Sequence, residues 1–262
     1  MTQRIMYSGR QEYLPLPPFK CVKEEVVVGL TSYGERISHI IPTLETLVNQ
    51  SKKPTKIVLY IAHDDMPLVT DDIKELCEVR ECEDTRSHKK FNVFFDFPEA
   101  YVVTADDDLL YSDKWLETLM RASQLSPYAV VAHNTFLLEG WSFGRPTTRR
   151  DNSASLKGRI NMYVMSGAGV LRPPKMDLSE LKHAYNFSPN CDEKPLSALL
   201  RLKHIPVLAT RLNEKPYNTE AYKLPMGGLW EQYNQKHQDL RWDECHDFIE
   251  AIKRMDYDNR FN

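Results

Sequence analysis

Four short apolar runs, set between amphipathic helical patterns and followed by polar clusters, constrain the fold of this chain more than any other feature. Val26-Val27-Val28-Gly29-Leu30, within residues 23–31, is the continuous β-branched run of a strand buried on both faces. Ile37, Ile40, Ile41, Leu44, Leu47 and Val48 then recur at helical spacing and predict a helix over Arg36 to Gln50. Pro42 is awkward inside that helix and suggests a start near itself. Lys56 to Ala62 predicts a second strand and Asp71 to Arg80 the next helix. Tyr101 to Ala105 predicts a strand that runs into Asp106-Asp107-Asp108. Ser112 is placed to cap a helix from Asp113 to Gln124, and Ala129 to Ala132 is a fourth strand. Such alternation predicts an α/β fold with a mainly parallel sheet. Ligands of these sheets bind beyond the carboxyl ends of the strands, where Thr31-Ser32, His63-Asp64-Asp65 and Asp106-Asp107-Asp108 all fall.

After Phe136 the periodicity loosens. Glu139 to Lys157 reads as a long surface loop, carrying Trp141 and Phe143, either sugar-stacking rings or satellite-core residues. Met162 to Val164 and Val170-Leu171 predict strands around the glycine turn Ser166-Gly167-Ala168-Gly169. Helices are expected at Leu178 to Ala184, Glu193 to Lys203, Leu229 to Lys236 and Asp243 to Met255. Residues 1–22, with Leu14-Pro15-Leu16-Pro17-Pro18, predict an extended arm, and 23–262 a single domain.

With 34 Lys+Arg against 37 Asp+Glu, charge is nearly balanced, so no nucleic-acid partner is expected. No run approaches the ~18 apolar residues of a membrane span. Five scattered cysteines suit free thiols in a reducing compartment, so a cytoplasmic protein is expected. The basic stretch Arg145 to Arg159 is a solvated loop or a patch that steers the protein to an anionic glycan or to anionic lipid at the inner membrane face.

Three consecutive carboxylates repel one another unless a cation neutralises them, and a hard divalent ion such as Mg²⁺ or Mn²⁺ does so. The alternative is an exposed acidic turn beside the helix near Ser112. A strand ending in Asp-X-Asp serves haloacid-dehalogenase-like phosphatases and nucleotide-sugar glycosyltransferases. Leu110 and the position past residue 100 fit the phosphatase poorly.

Four segments in order resemble small bacterial glycosyltransferases of GT-A fold. They are Val26 to Ile37, the helix end Val48-Asn49-Gln50-Ser51 with Lys53 to Leu59, Asp84-Thr85-Arg86-Ser87-His88-Lys89-Lys90-Phe91, and Val103 to Tyr111. The resemblance runs from about Glu25 to about Leu208. It implies a three-layer α/β/α sandwich with a nucleotide-binding half over 23–132 and an acceptor-side half over 133–262. It also implies transfer from a nucleotide-sugar donor, UDP or GDP, to a glycan or lipid-linked acceptor in capsule or lipopolysaccharide assembly. By the resemblance, Thr31, Ser32 and Arg36 lie beside the nucleobase with Asp64 near it. Lys89 or Lys90, in the basic segment opened by Asp84, neutralises the diphosphate. Asp106 contacts ribose or metal, Asp108 ligates the Mn²⁺ or Mg²⁺, and Asp107 supports them or touches the sugar.

Asn190-Cys191-Asp192-Glu193-Lys194-Pro195 resembles the paired acids that open a helix in inverting members of the fold. Glu193 aligns with the general base and Asp192 with its supporting partner, though the roles can exchange. Lys194-Pro195 departs from the apolar-aromatic pair usual there, and Asp192 alone would make a good helix cap. The glycine turn resembles a loop bordering donor and acceptor. His133, His204 and His237 could each donate a third metal ligand, yet a lone histidine is more often structural, and none is placed in the metal set. A sugar-phosphate nucleotidyltransferase and a non-catalytic carbohydrate-binding protein of degenerate transferase fold remain the rivals.

Overall fold

The computed structural model describes residues 24–139, 147–149, 155–159, 162–210, 217–219 and 246–254. The N-terminal arm, Trp141, Phe143, part of the basic stretch, the helix expected at Leu229 to Lys236, and His237 lie outside them. β1 (Val26–Thr31) is buried until Thr31. The helix expected over Arg36 to Gln50 is broken at Ile40, into a 3-10 turn (Gly34–His39) and α1 (Ile41–Val48). Pro42 stands in the first turn of α1, where a missing N–H breaks no bond. β2 (Lys56–Ala62) and α2 (Asp71–Leu76) follow. The helix expected to reach Arg80 stops at Leu76, and Glu78–Cys82 forms strand β3 at the sheet edge. Charge is tolerated on an edge strand, which is why this one carries no apolar signature.

α3 (Asn92–Asp96), β4 (Tyr101–Thr104) and the two-residue β5 (Leu109–Leu110) come next. α4 (Trp115–Ser123) has Lys114 at its N-cap and no side-chain cap, so Ser112 does not cap it. The Ser112 carbonyl instead accepts from the Trp115 N–H and from Gln50 Nε2. β6 (Val130–Ala132) precedes β7 (Thr135–Glu139), β8 (Thr147–Arg149) and β9 (Ser155–Arg159). The stretch expected as one long loop therefore holds strands, too short and polar to show periodicity. β10 (Met162–Val164), the single turn α5 (Ser166–Gly169) and β11 (Val170–Arg172) make no hairpin, because β10 and β11 belong to different sheets. A 3-10 turn (Ser179–His183), α6 (Ala184–Phe187), α7 (Glu193–Leu202), β12 (Val207–Ala209), β13 (Tyr217–Asn218) and α8 (residues 246–254) complete the described elements.

The main sheet has the order β3-β2-β1-β4-β11-β6-β12-β9, and β7, β8 and β10 form a small second sheet. β3, β2, β1 and β4 are mutually parallel, as are β6 and β12, while β11 and β9 run antiparallel to their neighbours. Alternate residues feed two cores. Val26, Val28 and Leu30 pack with Leu44, Leu47, Trp115 and Leu119. Val27, Val58 and Val102 pack with Phe91, Phe94, Leu196 and Phe248 on the other face. The fold is thus an α/β three-layer sandwich with a mixed, mostly parallel central sheet. Among the described residues no helix is long and apolar enough to cross a membrane. Because β1 to β4 run parallel, Ser32, Asp64, Asp84 and Asp106–Asp108 all follow strand ends along one edge.

Candidate active site

The three consecutive aspartates diverge. Asp107 turns into the protein, where its carboxylate accepts from Ser32 Oγ at 2.5 Å, Arg36 Nε at 3.0 Å and Arg36 Nη2 at 2.5 Å. Its backbone carbonyl accepts from Thr43 Oγ1 at 2.9 Å, so the middle residue locks the loop to α1 and the turn before it. Asp108 meets the same guanidinium at 3.0 Å. Burial, together with the charges of Asp106 and Asp107, raises the Asp108 carboxyl to about 6 against the opposing pull of Arg36. The loop therefore holds more negative charge than Arg36 neutralises.

Adjacent lysines take opposite partners. Lys89 Nζ pairs with Asp84 at 2.9 Å, and Asp84 also accepts the Arg86 N–H. Lys90 Nζ, itself buried, reaches Asp106 Oδ1 at 2.6 Å and Asp192 Oδ2 at 2.9 Å. Burial alone would push its ammonium toward losing the proton, and Asp106 and Asp192 more than reverse this. The end of β4 and the start of α7 are thereby brought together through one cation.

Asp192 occupies the N-cap position of α7 but makes no capping hydrogen bond. Its carboxylate accepts from Ser166 Oγ at 2.7 Å as well as from Lys90, and these partners with His88 hold its pKa down against burial. Glu193 differs. Its Oε2 accepts the Tyr163 phenol at 2.7 Å, and burial followed by the charge of Asp192 raises its pKa to about 8. Gly167 packs directly on the Asp106 carboxylate, and the Tyr111 hydroxyl links the Asp106 N–H to the Gly167 carbonyl at 2.8 Å each. Arg86 Nη1 donates to Asn190 Oδ1, a second link between the basic segment and the approach to α7.

Other expected site residues lie farther out. The Thr31 hydroxyl donates to the Tyr60 carbonyl at 2.7 Å. Asp64 is exposed on a 3-10 turn (His63–Leu68) after β2. Among the described residues neither Asp64 nor the Asp84–Lys89 pair bonds to the Asp106–Lys90–Asp192 group. His133 is structural: Nε2 donates to the Trp115 carbonyl at 2.9 Å, Nδ1 accepts from Thr210, and burial lowers its pKa to about 3. Ser166, Tyr111 and Asn190 lie in segments the sequence singled out but were given no role of their own, and Tyr163 escaped sequence reasoning, since one polar residue in a short apolar strand carries no pattern. A cleft of about 300 Å³ opens elsewhere, between Thr85, His88, Phe95 and Tyr185.

No group of three His, Cys, Asp or Glu forms a metal site by itself among the described residues. The protein would offer Asp106 and Asp108, a hard oxygen pair with surplus negative charge. Mg²⁺ and Mn²⁺ are commonly held by one or two carboxylates, with substrate phosphates and water completing the shell, so the donor set fits.

No family profile matches the chain, and no curated protein does. Two solved structures are similar in layout. CMP:2-keto-3-deoxy-manno-octonic acid synthetase complexed with CTP is 12% identical with a TM-score of 0.48, over 75% of this chain and 94% of that one. S. aureus TarS 1-349 is 12% identical with a TM-score of 0.47, over 74% of this chain and 60% of that one.

Proposed function

We propose that this chain is a metal-dependent, inverting glycosyltransferase. It moves a sugar from a nucleoside diphosphate, a UDP-sugar in the first instance, to a hydroxyl of a glycan or lipid-linked acceptor in surface polysaccharide assembly. One observation carries the proposal: an acidic loop after β4 and an acid pair opening α7, far apart in sequence, meet across Lys90 at the carboxyl edge of a parallel sheet. That is where a donor diphosphate and an acceptor hydroxyl must be brought together.

Asp106 and Asp108 would hold the cation, whose charge offsets that of the departing diphosphate. Lys90 adds a fixed positive charge beside it. Of the two acids at α7, Asp192 is engaged by Lys90 and Ser166, whereas Glu193 has one phenol on Oε2 and a pKa near the working range of a base. Glu193 is therefore assigned as general base. It takes the acceptor hydroxyl proton as the oxygen bonds to the anomeric carbon, and the bond to the diphosphate oxygen breaks on the opposite face.

Thermal unfolding with nucleoside diphosphates, each with and without Mn²⁺, tests the donor half. The expected result is a Mn²⁺-dependent rise in Tm with UDP, worth about 2.7 kcal/mol at a hundredfold excess over Kd. No shift with any nucleotide would sink the proposal. Glu193→Gln is expected to keep that shift and to lose transfer by about 10²- to 10⁴-fold. If Asp192→Asn does this while Glu193→Gln stays active, the two roles exchange. Because Glu193 accepts a proton only when ionised, wild-type transfer should rise with pH through about 8.

A further inference from the structure

One short segment touches three acids of this site, Asp106, Asp192 and Glu193. It leaves the small sheet at the end of β10, turns once through α5 and enters the main sheet as β11 beside β4. Along that path the Tyr163 phenol donates to Glu193 Oε2 at 2.7 Å and the Ser166 hydroxyl to Asp192 Oδ2 at 2.7 Å. Gly167 lies so close to the third acid that a Cβ on it would stand 1.7 Å from Asp106 Oδ2. The segment is anchored from both sides of the site. The Val164 N–H donates to Ser197 Oγ on α7 at 3.0 Å, and Thr104 Oγ1 on β4 donates to the Ser166 carbonyl at 2.7 Å.

We infer that Tyr163–Gly167 is a template that holds the donor-side acid Asp106 and the acceptor-side pair Asp192–Glu193 at a set spacing, with Tyr163 the positioning residue for Glu193. This rests on the assignment of Glu193 as base. A glutamate carboxylate turns almost freely about its last torsion, so an unheld base samples many orientations, few of them facing the acceptor. The phenol fixes Oε2 and leaves Oε1 for the incoming hydroxyl. It also favours the ionised carboxylate, as does Lys90, while burial, Asp192 and Asp106 oppose ionisation; the Cys191 thiol, pushed up first by burial, also feels the charge of Glu193. Gly167 acts on the donor side by a different means, since any side chain there would displace the Asp106 carboxylate.

The two ends of the template should fail differently. Tyr163→Phe keeps the ring that packs edge-on to Phe136 and removes only the hydroxyl. It is expected to lower kcat about tenfold with donor KM unchanged, the loss of one hydrogen bond to a charged group. The midpoint of the Glu193 titration, followed by NMR in protein labelled with carboxyl-¹³C glutamate, should rise by about one unit. That titration needs no turnover. Gly167→Ala is expected to weaken UDP–Mn²⁺ binding at least tenfold, on the order of 1.4 kcal/mol, while the Glu193 midpoint does not rise, since displacing Asp106 removes a charge that opposes Glu193 ionisation. Should Gly167→Ala not fold, Tyr163→Phe decides alone. A Glu193 midpoint unmoved in Tyr163→Phe overturns the inference, and so does a loss of UDP affinity in that variant as large as its loss of kcat. A wild-type protein that turns over no donor, with the midpoint shift intact, overturns the base assignment and the positioning role with it.

Discussion

Lys90→Met is expected to lower transfer by about 10²- to 10³-fold, the usual loss when one preorganised charge at a reacting centre is removed. It should also destabilise the fold by about 3–5 kcal/mol, because the buried Asp192 carboxylate is then left without its cation, while the partly exposed Asp106 can be solvated. Lys90 is fully enclosed, with its ammonium 2.6 Å from Asp106 and 2.9 Å from Asp192. Methionine keeps much of the apolar stem and removes only the charge, which isolates the electrostatic part of the effect. Lys89→Met is the control. Lys89 is as buried, but its partner Asp84 is largely exposed and can be solvated when the ammonium goes. That change should cost about 1 kcal/mol or less and leave transfer within tenfold of wild type. Urea unfolding and single-turnover transfer measure both variants. Turnover of Lys90→Met within tenfold of wild type would remove Lys90 from the reacting centre.

The contrast between these neighbours marks how far the sequence could be read. β1, β2, β4 and β6 were legible because two-sided burial demands unbroken apolar runs, which few other structures produce. β3 was not, since Glu78 to Cys82 lies at an edge where charge is harmless, and it looked like the tail of a helix. The insertion of β11 between β4 and β6 is a long-range pairing that no local pattern announces. At the site, the carboxylates of Asp106–Asp108 and Asp192–Glu193 stood out by number, position and resemblance. Which aspartate turns inward depends on the backbone path after β4, and which lysine reaches Asp106 depends on the 3-10 turn (Arg86–Phe91) that carries both. Tyr163 and Ser166 lie in the least periodic half of the chain, and only the fold brings them beside α7.

Asp107→Asn and Asp108→Asn, adjacent and chemically identical changes, are expected to move stability in opposite directions. Asp107 is a partner of the buried Arg36 guanidinium and of Ser32, so neutralising it leaves donors facing donors and should cost about 3 kcal/mol or more. Asp108 carries a penalty instead. Its folded pKa of about 6 lies above the usual 3.8, so the fold disfavours its ionised form. By linkage the penalty is fully present above about pH 6, roughly 3 kcal/mol at pH 7, and disappears as pH falls from about 6 to below 4. Asparagine has no charge to disfavour, and the lost ion pair to Arg36 offsets only part of the gain. Asp108→Asn should therefore raise Tm by several degrees at pH 7, with a smaller rise at pH 5, where wild-type Asp108 is already mostly protonated in the fold. The same variant should lose Mn²⁺-dependent transfer, because the group that strains the fold is one that would hold the cation. Scanning calorimetry at the two pH values, with transfer assays beside it, reads both effects. Equal destabilisation by the two substitutions would make Asp108 a structural residue, and undiminished turnover in Asp108→Asn would remove it from the metal site.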